Sequence, residues 1–222
     1  MKTSALVSAS LLVAVTALGT VGCSSFRQSS APDATKPVGG KAINLLQFRN
    51  DVQATRIAIA RTSDALGRLP DSPNAQDAYA SYSTELAALA KLIDRTSRES
   101  AEVRNHGKIL FAQWEAEANS IKNPEIKAVA DARRLKLQAA YQDMLTPLID
   151  ARANFTPLLS DFTDLQKALA LDLTSPGIKA VQPLITKTIA SATVTIKSLD
   201  TLAAELGKIV AVLPAPTVAP VN

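Results

Sequence analysis

The chain has 222 residues, 47% hydrophobic but only 4% aromatic, with 8 Gly, 12 Pro and a formal net charge of +4. An Ala-rich, Gly-poor composition of this kind excludes collagen and wholesale disorder, favours helix, and suffices for one core-forming domain with tails. A single Cys and a single His exclude an internal disulfide and most Cys/His metal sites, and they leave His106 as the only imidazole available to a catalytic pair.

Residues 1–22 run from Met1-Lys2-Thr3 through an apolar stretch, Ala5 to Leu18, to Gly19-Thr20-Val21-Gly22 directly before Cys23. These are the three regions of a secretory signal, and the apolar stretch is too short for a stable membrane span. The arrangement resembles the bacterial lipoprotein signal, although Thr20 stands where that pattern more often carries Leu. The resemblance implies cleavage before Cys23, acylation of that residue as the first of the mature chain, and stable membrane attachment through several acyl chains. Ser24 at the second mature position further implies sorting to the outer membrane. The expected location is therefore the cell envelope, anchored at the outer membrane and facing the periplasm. Residues 23–40 comprise the lipidated Cys and a linker of Ser, Pro, Gly, Ala and Lys, too poor in large apolar groups to fold and suited to act as a tether.

From residue 41 to 213 the strong breakers fall at Leu69-Pro70-Asp71-Ser72-Pro73-Asn74, at Asn123-Pro124 and at Thr174-Ser175-Pro176-Gly177. Asn123 and Ser175 each precede a proline, the order expected of an N-cap followed by Pro at the first helical position. Helices are predicted over 42–69, 74–122, 124–173 and 176–212. Apolar residues alternate three and four apart in all of them, as a coiled seam requires. The first carries Phe48, Val52, Thr55 and Ile59, and the second Tyr82, Leu86, Leu89, Ile93, Val103, Gly107 and Leu110. The third carries Tyr141, Met144, Leu148 and Phe155, the fourth Ile185, Thr188, Leu199 and Leu206. The fold class is all-α, an elongated antiparallel helical bundle or coiled coil of about four helices with a long central hairpin. Pro147, Pro157 and Pro183 are expected to lie off the seam and to bend their helices, which are read as continuous, with a break near Pro147 as the alternative. Residues 214–222 form a Pro-rich extended tail.

Helix lengths predict more. At about 1.5 Å per residue the two middle helices outrun the first and last by tens of ångströms. The turns near 70–74 and 173–177 share one end, so the hairpin around Lys122 and Asn123 projects from the other. Its tip carries Leu110, Phe111, Trp114, Ile121, Ile126 and Val129, together with Ile109. An incompletely covered apolar hairpin bearing the only Trp is a candidate partner-binding surface; the same residues could instead seal the second helix against the third or meet a second copy.

The run Phe111-Ala112-Gln113-Trp114-Glu115-Ala116-Glu117, followed by Arg133 to Tyr141 and by Ala151 through Pro157 to Leu165, resembles a bacterial family of envelope-associated helical proteins catalogued as a domain of unknown function, number 2959. The likeness spans about residues 48–205. Leu165-Gln166-Lys167-Ala168-Leu169 departs from a Lys-His-Asn-Leu-like run in that family. The resemblance implies fold and compartment and brings no catalytic residue with it.

No chemistry-bearing motif emerges. Glu102 and His106 stand four apart, but a di-iron bundle needs two Glu-x-x-His pairs, and His106 is expected to be solvated. Glu99, Glu102, Glu115 and Glu117 are expected to form surface ion pairs with Arg95, Arg98, Arg104 and Lys108. The sequence carries no phosphate loop or nucleophile elbow, and the Arg133-Arg134-Lys136 cluster is diluted by Asp131 and Glu125, which argues against nucleic acid. No metal, no cofactor and no enzymatic activity are expected. The expected role is a non-catalytic, lipid-anchored periplasmic coiled-coil protein, a structural or interaction component of the envelope with a membrane contact at Cys23 and a protein partner or self-association through its helices. The alternative is a periplasmic holdase-like chaperone or binding module for apolar clients.

Overall fold

A computed structural model describes residues 44–212. The signal, Cys23, the linker and the C-terminal tail lie outside the described residues. Four helices follow one another: α1 over Leu45–Arg68, α2 over Ala75–Ser120, α3 over Pro124–Leu171 and α4 over Ser175–Val212, with a 3-10 turn at Leu69–Asp71 between the first two. No strand occurs among the described residues.

The helix starts have local causes. The side-chain oxygens of Asn44, Asn74 and Asn123 accept from backbone N–H groups of the first turns of α1, α2 and α3, at 2.9 to 3.2 Å, satisfying donors that have no intrahelical partner. Pro124 occupies the first turn of α3, where its missing N–H costs nothing. At α4 the capping oxygen belongs to Thr174, which accepts from Gly177 N at 3.3 Å, and not to Ser175, which is already the first helical residue. Gly177 is required here: a Cβ would overlap the Asp172 carboxyl, itself held by the Thr174 N–H and hydroxyl.

The helices pack in a ring, α1 on α2, α2 on α3, α3 on α4 and α4 back on α1, with no packing across either diagonal. Every neighbouring pair is antiparallel. Tyr79 Oη donates to the Gln166 carbonyl at 3.3 Å, Tyr82 Oη to that of Phe162 at 2.5 Å and Tyr141 Oη to that of Arg104 at 3.0 Å, so α2 descends as α3 rises. Arg49 Nε reaches the Ala203 carbonyl at 3.3 Å and Arg56 Nε reaches Asp200 at 2.6 Å, which ties the start of α1 to the end of α4.

The ring encloses one core, built from Val52, Ile59 and Leu66 of α1, Tyr82 and Leu89 of α2, Met144, Phe162 and Leu169 of α3, and Leu199, Leu202 and Leu206 of α4. Threonines interrupt it. Thr55 Oγ1 meets Thr96 Oγ1 at 2.8 Å and also donates to the Asp51 carbonyl, while Thr62 and Thr195 donate to carbonyls four residues back, so burial leaves none of these hydroxyls unpaired.

Two expectations need correction. Pro147 is buried, not off the seam, whereas Pro157 and Pro183 are exposed as expected, and α3 and α4 run through all three prolines unbroken. In α2 the buried position is Phe111 and not Leu110, which is only half-buried. One cause covers both. In the bundle each helix has two neighbours, and in α1 and α3 the buried arc widens beyond a coiled-coil stripe to take in Asp51 and Ala58 of α1 and Pro147 of α3. Beyond the bundle α2 keeps only α3 as a neighbour, and its buried stripe rotates toward it.

Candidate interaction surface on the α2–α3 hairpin

The level at which Tyr141 bonds to Arg104 is the level at which α1 begins and α4 ends. Residues 105–120 of α2 and 124–140 of α3 continue past it as a two-helix hairpin, about 24 Å long at 1.5 Å per residue. Its seam is formed by Gly107, Phe111, Trp114 and Ala118 from α2 and by Leu137 and Tyr141 from α3, all buried. Gly107 sets the closeness of the packing, because the Tyr141 ring lies where a Cβ would be. That ring also packs on Phe111, centroids 5.3 Å apart and planes tilted by 56°. Burial pushes the Tyr141 phenol above its ordinary range, opposed by the nearby Arg104 charge.

The six candidate tip residues therefore separate into three sets. Phe111 and Trp114 belong to the seam, 7% and 5% exposed. Leu110 and Ile121 are half-buried, while Ile126 at 58% and Val129 at 72% face outward. Ile109 and Leu135 are exposed as well. On the hairpin flank an open groove of about 530 Å³ has a floor including Phe111, Tyr141, Leu145 and Ile149, with Arg104 and Lys108 at its edge. The face of α3 carrying Ile126 and Val129 continues to Arg133 at helical spacing. Asp131, bonded by Lys127 at 2.6 Å, is held below the ordinary carboxylate range by that bond, with further help from the Lys127 and Arg134 charges.

A second polar feature, which the periodicity did not reveal, lies between α1 and α2. Asp51 is 4% exposed; its carboxylate accepts from Arg95 Nη2 and, at 3.3 Å, from Gln47 Nε2. Glu99, one turn beyond Arg95, has Oε2 shielded from solvent without a donor. Burial raises the Glu99 pKa, and the Asp51 carboxylate raises it further, against the partial relief of Arg95. The signal available in the sequence was the i, i+4 spacing of Asp51 and Thr55 beside the apolar stripe, which is indistinguishable from a solvated flank until the neighbours are known. The expected glutamate pairs are replaced: Arg95 pairs with Asp51 and Arg98 with Asp94. His106 is half-buried, its Nε2 shielded from solvent and without a hydrogen-bond partner among the described residues. Among the described residues no group of three or more His, Cys, Asp or Glu side chains could hold a metal ion, and no helix is long and apolar enough to cross a membrane.

Residues 57–212 match the model of a family described as Protein of unknown function (DUF2959). The chain belongs to this family. The DUF2959 region begins inside α1 and closes with α4, so it takes in the whole α2–α3 hairpin and leaves out the first three turns of α1, where Asp51 lies. No curated protein and no solved structure matches the chain.

Proposed function

We propose that this DUF2959 protein is a non-catalytic, lipid-anchored component of the bacterial cell envelope that presents its α2–α3 hairpin to another envelope component. The observation that carries the reading is the hairpin itself: two long helices run about 24 Å past α1 and α4, and their outer faces carry Ile109, Ile126, Val129 and Leu135 without a neighbouring helix among the described residues. The anchor rests on the sequence, where an apolar stretch closes on Gly22-Cys23 in a chain with one cysteine. Ser24 favours the outer membrane with the bundle in the periplasm. The same exposed apolar residues favour, as second reading, a holdase-like module for apolar clients.

Two measurements on cells test this. Replacing Cys23→Ser is expected to remove the acyl mass from the N-terminal peptide and to move the protein from the membrane to the soluble fraction; unchanged fractionation refutes the anchor. A photocrosslinker at position 109, with position 197 on α4 as control, reads the hairpin. A discrete heterologous adduct supports presentation to a partner, a broad set of secreted proteins supports the holdase, and equal adducts from both positions refute the hairpin as the interacting element.

A further inference from the structure

The placement of α1 fixes where the rest of the chain must leave the bundle. Asn44 caps α1 at the level of Arg104, the root of the hairpin, so the polypeptide between Cys23 and Asn44 departs at the end from which the hairpin projects. Twenty residues, 24–43, separate Cys23 from Asn44, and a chain of that number spans at most about 70 Å. The hairpin extends about 24 Å from the level of Asn44. The covalent length therefore does not prevent a lipid-anchored Cys23 and the hairpin tip from meeting one bilayer.

The tip has the chemistry of such a plane. Between residues 117 and 136 five basic side chains stand against three acidic ones. Asp131 is engaged by Lys127 and Arg134, whereas Lys122, Arg133 and Lys136 are exposed and form no ion pair among the described residues. Beside them Ile126 and Val129 are the two most exposed large aliphatic residues of the hairpin. Aliphatic side chains bordered by cations with long apolar stems suit a bilayer interface, where the aliphatics enter the acyl boundary and the cations stay among anionic headgroups.

We propose that the tip of the α2–α3 hairpin docks on an anionic phospholipid surface, with Ile126 and Val129 inserted and Lys122 and Arg133 among the headgroups. The inference rests on the anchoring reading, since the tether supplies the nearby bilayer. It makes the hairpin a second, reversible foothold that orients the bundle on its membrane.

The test uses the full acylated protein in vesicles of phosphatidylethanolamine and phosphatidylglycerol, with an environment-sensitive fluorophore at Val129→Cys and a control at Lys197→Cys. Spin-labelled lipid is expected to quench the label at 129 and not that at 197. Vesicles of phosphatidylcholine alone, or the variants Lys122→Gln and Arg133→Gln, are expected to weaken the docking that quenching reads, roughly fivefold for each charge lost near an anionic surface. Equal quenching at the two positions, quenching indifferent to the charge variants, or a 129 label that reports a second copy overturns the proposal. The mass of the Cys23 peptide is read on the same sample. If Cys23 is unmodified the anchoring reading fails by itself, and protein added to preformed vesicles, in a Cys23→Ser background, still shows whether position 129 meets lipid.

Discussion

Gly107→Ala sets two effects of opposite sign against each other. Gly107 is in the interior of α2, where replacing Gly by Ala favours the helix by about 1 kcal/mol. Its Cβ, however, would occupy the space of the Tyr141 ring, and α2 and α3 are held at this level by that ring. Tyr141 can yield only by swinging toward the groove beside Phe111, which gives up the 3.0 Å bond to the Arg104 carbonyl and the tilted contact with Phe111. The bond contributes about 1 kcal/mol and the aromatic pair about 1 kcal/mol, with further loss from exposing part of a buried ring. The expected sum is a destabilisation of about 1 to 2 kcal/mol, read as a lower urea midpoint by far-ultraviolet circular dichroism, with Trp114 fluorescence reporting the hairpin. In a Tyr141→Ala background the clash is gone and the same substitution is expected to stabilise, by about 0.5 to 1 kcal/mol. A Gly107→Ala protein more stable than the parent, or one whose effect keeps its sign without Tyr141, refutes the reasoning.

Glu99 gives a pH dependence with a defined sign. Its folded pKa is raised, by burial first and by the Asp51 carboxylate next, so its contribution to stability is complete below the ordinary carboxylate range and is lost as pH rises through the raised value. Against Glu99→Gln, which cannot ionise, the parent is expected to lose relative stability as pH rises above the ordinary carboxylate range; denaturation midpoints that stay parallel over that rise refute the assignment. Pro157 is exposed inside α3, so its ring contributes no core packing while the helix lacks its N–H. Pro157→Ala is expected to stabilise by about 1 to 3 kcal/mol, a rise in midpoint of several degrees in a thermal melt, and an unchanged midpoint refutes the cost assigned to the missing N–H.

The periodicity of the sequence carried the four helices, their order and their turns, because apolar residues three and four apart persist through each one and asparagine-led starts mark the breaks. It also carried the uncovered hairpin, since unequal helix lengths and two turns at one end leave no other arrangement. What escaped it depends on how many neighbours a helix has. A seam written as one stripe omits the flanking positions buried when a helix lies between two others, which is why Asp51 and Pro147 read as outward. The same stripe misplaces the hairpin, where α2 loses α1 and its buried face turns until Phe111 replaces Leu110. Ion pairing was the least legible feature. Along α2, Arg95 has Glu99 at favourable spacing, but its carboxylate comes from α1, 44 residues away, and nothing within one helix specifies that choice.

The ties between α1 and the rest of the bundle are unevenly spread, and this has a mechanical consequence. Asp51 to Arg95, Arg49 to the Ala203 carbonyl and Arg56 to Asp200 all lie in the first three turns, next to the point where the preceding chain enters. A pull on that chain, directed past the hairpin, loads α1 along its own axis, so these cross-links and the flanking core layers are strained together in shear and do not give way one at a time as they would in peeling. A load that enters at the N-terminal end of α1 thus meets the most firmly fastened part of that helix.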